Sequence, residues 1–170
     1  MYDQLKFEKY TEEDFPLFKE LVKDDEIMKY ISGKGLTAEE AQKKFAFILE
    51  INKDPQLGYF KIYDTETRAF LGDCKLVEYR KDTSVFEIGY LLRKQFWRKG
   101  IGSRICKAML TFADTLDPGK DVVGIIDPGN DASRRLLMKF GFKSFFVGEE
   151  EGIKTEKLVL KRIKASRGNK

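Results

Sequence analysis

Between Leu57 and Leu92 apolar and polar residues alternate with a period of two through three segments, Tyr59–Tyr63, Ala69–Tyr79 and Val85–Leu92, joined only by the polar turns Asp64–Arg68 and Lys81–Thr83. Three such segments with short connections predict an antiparallel meander. The period then changes. Gly100 and Gly102 open a run from about Lys99 to Leu116 in which Ile101, Ile105, Ala108, Phe112 and Leu116 recur at helical spacing, and Asp117-Pro118-Gly119 stops it. Beyond it the continuous apolar run Val122–Ile126 predicts a strand buried on both faces. A meander followed by a strand–helix–strand unit implies helices packed on a twisted mixed sheet, an α+β sandwich.

The flanking segments fit that plan. Leu5–Tyr10 alternates as a half-buried strand, and Thr11 with Asp14 caps a helix carrying Phe15, Phe18, Leu21 and Val22 on one face. Thr37-Ala38-Glu39-Glu40 is a capping box for a second helix through Ala41, Phe45, Ile48 and Leu49, and Ser32–Gly35 is a loop. Asn130 caps a helix over Asp131–Phe140 that Gly141 ends, and a hairpin of Phe142–Val147 with Ile153–Leu160 turns around Gly148–Gly152. The expected result is a mostly antiparallel seven-stranded sheet with about four helices on its faces. At 170 residues one core suffices. Residues 1–162 are expected to form the single domain, and the basic stretch 163–170 to fray as a tail.

Composition narrows the chemistry. The absence of histidine excludes Ser-His-Asp and Cys-His triads, His-ligated metals and imidazole proton shuttles. Carboxylates, Lys, Tyr, Cys, water or the substrate must carry any acid–base step. A net charge of +4, from 32 Lys and Arg against 28 Asp and Glu, singles out no partner. The aromatics lie in core patterns and are not interleaved with charge, which argues against a nucleic-acid surface despite Arg134-Arg135 and the basic tail. No apolar run approaches the roughly 20 residues of a membrane span, and the first residues lack a signal-peptide core. Cys74 and Cys106 are 32 positions apart and read as two reduced core thiols, which places the chain in the cytoplasm.

The stretch Glu87–Arg104 carries the functional signal. A strand enters a loop whose Gly100 and Gly102 let the backbone bend closely, and a helix begins there with unpaired N–H groups and the positive end of its dipole. Arg98, Lys99 and Arg104 add charge, so the site suits an anion, and a diphosphate fits it. A tight strand-to-helix turn with solvated basic residues is the plainer reading of the same glycines. The P-loop spacing is absent, and so is the GxGxxG fingerprint of dinucleotide-binding folds.

Trp97-Arg98-Lys99-Gly100-Ile101-Gly102 resembles the pyrophosphate motif of the GNAT superfamily of acyl-CoA-dependent N-acetyltransferases, with Trp97 in the first position. Trp there, together with Thr11–Asp14, Asp25–Ile31, Glu87-Ile88-Gly89-Tyr90 and Asn130–Leu137 leading to Lys139-Phe140-Gly141-Phe142, is similar to the ribosomal-protein alanine N-acetyltransferase-like branch. These motifs fall in family order from about residue 5 to 160.

The resemblance implies direct attack of a primary amine on the thioester of acetyl-CoA, the cosubstrate, with no metal. The amine would be a protein N-terminus or a small molecule. The backbone of Leu91 and Leu92 would bind the pantetheine amides where their strand splays from Val122–Ile126. The amides of Arg98, Lys99, Gly100, Ile101, Gly102 and Ser103 would hold the diphosphate, and Asn130 and Ser133 would reach the pantetheine arm. Glu87 is the first candidate for general base, acting through water, with a paired structural carboxylate as the alternative. Leu137 stands where many members carry a Tyr that protonates the leaving thiolate, which leaves solvent or another Tyr for that step. A CoA-binding sensor without turnover is the alternative function. The loop Met28–Leu36, the final hairpin and acidic Glu149–Glu151 are expected around the acceptor, and a homodimer is left open.

Overall fold

The computed structural model describes residues 4–163. Its elements are β1 (Leu5–Lys9), α1 (Phe15–Val22), α2 (Asp25–Met28), α3 (Ala38–Ile51), β2 (Gly58–Asp64), β3 (Phe70–Tyr79), β4 (Asp82–Leu92), α4 (Ile101–Leu116), β5 (Val122–Ile126), α5 (Asp131–Lys139), β6 (Lys143–Glu150) and β7 (Ile153–Leu160), with single 3₁₀ turns before α1 and after β4. The expected basic tail, apart from Ile163, lies outside the described residues. The seven strands form one sheet in the order β1-β2-β3-β4-β5-β7-β6. Every neighbouring pair is antiparallel except β4 with β5. Helix α4 carries the chain back along the sheet between them, so β5 starts at the same end as β4 and runs parallel to it.

Two cores follow from the alternation of side chains across the pleat. One face buries Ile62, Cys74, Leu76, Phe86, Ile88 and Leu92 against α4 and α5. The other packs Tyr59 and Val77 under Phe18, Val22, Ala41, Phe45 and Ile48 of α1 and α3. Helix α3 starts as its capping box requires, the Thr37 hydroxyl accepting from Glu40 N–H while Glu40 accepts from Thr37 N–H. Cys74 and Cys106 are both buried and unpaired. Among the described residues no helix is long and apolar enough to cross a membrane, and no cluster of three or more His, Cys, Asp or Glu could hold a metal.

Three details differ from the sequence reading. Helix α2 is an extra single turn, held because the Asp24 side chain accepts from the N–H groups of Glu26 and Ile27. The final hairpin turns on only Glu151 and Gly152, both at positive φ as a two-residue turn demands, so Glu149 and Glu150 belong to β6. Strand β5 is buried at Val122–Gly124 but Ile125 is 39% exposed, because β4 stops pairing with it at Gly124.

Candidate functional site

Only three residue pairs join β4 to β5, Phe86 with Val122, Glu87 with Val123 and Ile88 with Gly124. Past them β4 runs on to Leu92 and β5 to Ile126, so the two strands part and leave backbone groups facing a wedge. Strand alternation decides which groups these are. Phe86 N–H donates to Asp121 C=O on the β5 side, whereas Arg93 N–H donates to Leu71 C=O on the β3 side. Even-numbered residues of β4 therefore address the wedge. The backbone of Leu91 turns to β3, against Gly72, which corrects the expectation that Leu91 and Leu92 together face the opening. Tyr90 and Leu92 do so, and the Leu92 carbonyl is already engaged by Trp97 Nε1 at 2.8 Å. Trp97, in the first position of the glycine motif, thus ties the loop back to the strand end.

The wedge leads to the start of α4. Gly100 is the cap residue at φ 76°, a conformation that costs other residues about a kcal/mol. No side chain caps this helix and no acid occupies its first turn. Asp24, Thr37 and Asn130 do cap α2, α3 and α5. The first turn, Ile101 to Ser103, consequently has N–H groups outside helical pairing, next to exposed Arg98 and Lys99. Ile101 itself is buried, so only its backbone is available there. A Cβ on Gly102 would come within 2.7 Å of the Tyr90 hydroxyl. That hydroxyl bonds the Ser133 side chain, and Ser133 N–H donates to Asn130 Oδ1 at 3.1 Å. Tyr90 thereby braces the starts of α4 and α5 from below. The sequence reading quoted Tyr90 within the Glu87–Tyr90 motif but gave it no role, because the parity of β4 follows only from its strand pairing. Replacing Asn130 with Ala removes the α5 cap and is expected to cost about 1 kcal/mol of stability in a denaturant melt.

At the point of the wedge Leu137 is 6% exposed, and its Cδ1 would be 2.7 Å from a Cβ on Gly124. It fills the space with methyl groups and supplies no hydroxyl. Burial pushes the Cys106 thiol up to about 12 and raises the Cys74 thiol well above its usual value, so neither is a thiolate.

The opposite face of the sheet carries a polar cluster that only the fold assembles. Glu87 is 8% exposed and ion-paired with Lys75. Asp73, wholly buried, accepts from the Tyr10 hydroxyl at 2.8 Å. Lys44 of α3 lies over Tyr59, 5.7 Å from its centroid. Charged Asp73 and Lys75 among apolar neighbours in β3 were the readable signal for this cluster. Burial raises the Asp73 carboxyl to about 6, against the Tyr10 hydrogen bond and the attraction of Lys44 and Lys75. Because its folded pKa exceeds the ordinary 3.8, the folded state holds the extra proton between those values. Asp73 therefore costs stability progressively as pH rises from about 4 to 6, and the cost persists above. The stability gained by Asp73→Asn should be larger at pH 8 than at pH 4 by about 2–3 kcal/mol in paired denaturant melts. An equal effect at both pH values would refute the shift.

Comparison with known proteins agrees with this geometry. A family model described as an acetyltransferase (GNAT) domain matches residues 4–143. Protein YkkB of Bacillus subtilis (strain 168) is 29% identical over 130 residues, 74% of this chain and 73% of its own. Among solved structures, a spermidine N-acetyltransferase from Vibrio cholerae in complex with CoA and spermine superposes with a TM-score of 0.76 at 15% identity, over 93% of this chain and 95% of that one. RimL, a ribosomal L7/L12 α-N-protein acetyltransferase in complex with coenzyme A, does so with 0.75 at 17% identity over 94% of each chain. At such identities the superpositions speak for the fold alone. The match over residues 4–143, on a sheet that opens between its one parallel pair beside a glycine-started helix, identifies the chain as an acyltransferase of the GNAT acetyltransferase family.

Proposed function

We propose that this protein transfers the acetyl group of acetyl-CoA to a primary amine by direct attack in a ternary complex. The observation that carries the reading is the wedge between β4 and β5 opening onto an uncapped helix start. Backbone amides from Arg98 through Gly100 and Gly102 to Ser103 bind the diphosphate, assisted by the charges of Arg98 and Lys99. Groups of Tyr90 and Leu92 that face the wedge bind the pantetheine arm, and the Leu92 N–H is aimed at the thioester side. Asn130 and Ser133 serve from the start of α5. Glu87, the last buried carboxylate of β4 before the strands part, takes the amine proton through water on the acceptor side. With Leu137 in place of a hydroxyl, the thiolate is protonated by solvent. The two buried free thiols are compatible with a cytoplasmic setting.

Thermal shift against acetyl-CoA, CoA, NAD and ATP, followed by thiol release with a panel of amines, tests the proposal. The expected result is a shift selective for the CoA compounds and amine-dependent thiol release. Absence of any CoA shift would overturn it. A CoA shift with no thiol release from any amine would favour the second reading, a CoA-binding sensor, for which buried Leu137 is the specific observation.

A further inference from the structure

The two edges of the sheet are built differently. At one edge β1 buries Leu5 and exposes Lys6, which pairs with Glu8. Charge on an outer strand discourages a second strand from adding to it, a usual protection of a free edge. At the other edge β6 pairs only with β7, and each of its residues is exposed or half-buried. Between Lys143 and Glu149 it carries Ser144, Phe145, Phe146, Val147 and Gly148, with no charge among them. Phe145 is 53% exposed and Val147 65%. The register with β7 passes from Ser144 beside Leu158 to Phe146 beside Lys157, so the ring of Phe145 has no cross-strand neighbour in its own chain.

Apolar surface gathers around this strand. Val147 lies beside Glu156, which accepts from Arg134 of α5 at 2.8 Å. Met138, one helical turn beyond Arg134, comes to the same margin and is exposed. Ile153, opposite Glu150 at the hairpin turn, is exposed as well. An uncharged outer strand flanked by exposed apolar side chains is a template for another strand. Residues 164–170 do not suit it, since their sequence offers one alanine and three positive charges to cover two phenylalanines and a valine.

We infer that β6 is the docking edge for a second copy of this chain, the two strands pairing antiparallel about a two-fold axis at the Phe145–Val147 segment. A two-fold contact uses one patch twice, so the strand must complement itself. Its charges do so. Antiparallel pairing lays the Lys143 end of each strand along the Glu149 end of the other, whereas a parallel pair in register would set like charges together. Glu150 is already held by Lys157 and Lys81, which leaves Lys143 and Glu149 for the partner. Strand β7 separates β6 from β5 and the wedge, so this association stands apart from the acetyl-transfer reading.

Sedimentation equilibrium on the full chain tests the inference. The wild type should have twice the mass of one chain at micromolar concentration. Val147→Lys, at a position exposed enough to leave the circular dichroism unchanged, should raise the dimer Kd by more than about 100-fold, because two lysines would meet at the axis. Lys143→Glu or Glu149→Lys alone should weaken the dimer by about tenfold, and the two together should return it to within about threefold of the wild type. The charge swap keeps its meaning even where Val147→Lys fails to fold. A wild type that stays monomeric up to about 100 μM, with the edge bare or covered by residues 164–170, would overturn the inference. So would a dimer that Val147→Lys leaves intact, or one that the single and double swaps weaken alike, since either puts the contact elsewhere.

Discussion

Gly102→Glu should abolish measurable CoA binding, raising the Kd by more than about 100-fold in calorimetry. The proposed diphosphate site is made of backbone N–H groups and a helix dipole, so few side-chain deletions can remove it. A carboxylate at the second position of α4 competes for the same donors and repels the phosphates. Charge-assisted hydrogen bonds are worth about 1.5–3 kcal/mol each, and losing two exceeds a hundredfold. The Cβ adds a steric term, since it would lie 2.7 Å from the Tyr90 hydroxyl and 3.1 Å from its Cζ, displacing the side chain that braces Ser133. Folding should survive, because α4 has no acid in its first turn and a glutamate there suits the dipole. Gly102→Ala, with the steric term but not the charge, should weaken binding by a smaller factor. Wild-type affinity in the glutamate variant would remove the diphosphate assignment.

Glu87→Gln should lower kcat/KM for an accepted amine by about 100-fold while leaving acetyl-CoA affinity intact, since general base catalysis is typically worth about 10²–10⁴. The competing explanation is that Glu87 exists to neutralise Lys75, with which it is paired under substantial burial. Breaking a buried pair from one side costs about 3–5 kcal/mol, so a stability loss alone decides nothing. Lys75→Met breaks the same pair and keeps the carboxylate. If Glu87 takes the proton, Lys75→Met, which keeps the carboxylate, turns over near the wild-type rate once folded while Glu87→Gln stays about 100-fold slower. If the pair is only structural, both variants lose stability alike and turn over at the wild-type rate once folded.

Much of the fold was legible in local patterns. The period-two meander became β2, β3 and β4, and the long helix, the capping box at Thr37 and the Asn130 cap stand where the residues place them. These features depend on neighbours within about five residues, the range over which caps and periodicity act. The glycine motif was legible for the same reason, because a positive φ at Gly100 is a local demand. Misreadings arose where a contact from elsewhere intervened. Ile125 was assigned to a doubly buried strand because its apolar run is continuous, yet the loss of its β4 neighbour exposes it. The family resemblance put the backbone of Leu91 with that of Leu92 at the opening, and only the pairing with β3 fixed its parity.

By itself, the sequence determined the strand and helix types, the glycine start of α4, and a chemistry without histidine or metal-ligating imidazole. Tertiary structure decided where β4 and β5 part, that Tyr90 supports both helix starts, and that Lys44, Lys75, Asp73 and Glu87 share one face of the sheet. The physical reason is range. Dihedral preferences, caps and periodicities act along the chain, whereas the pairing of strands distant in sequence, and the Coulomb energies among charges that pairing brings together, exist only once the chain has closed on itself.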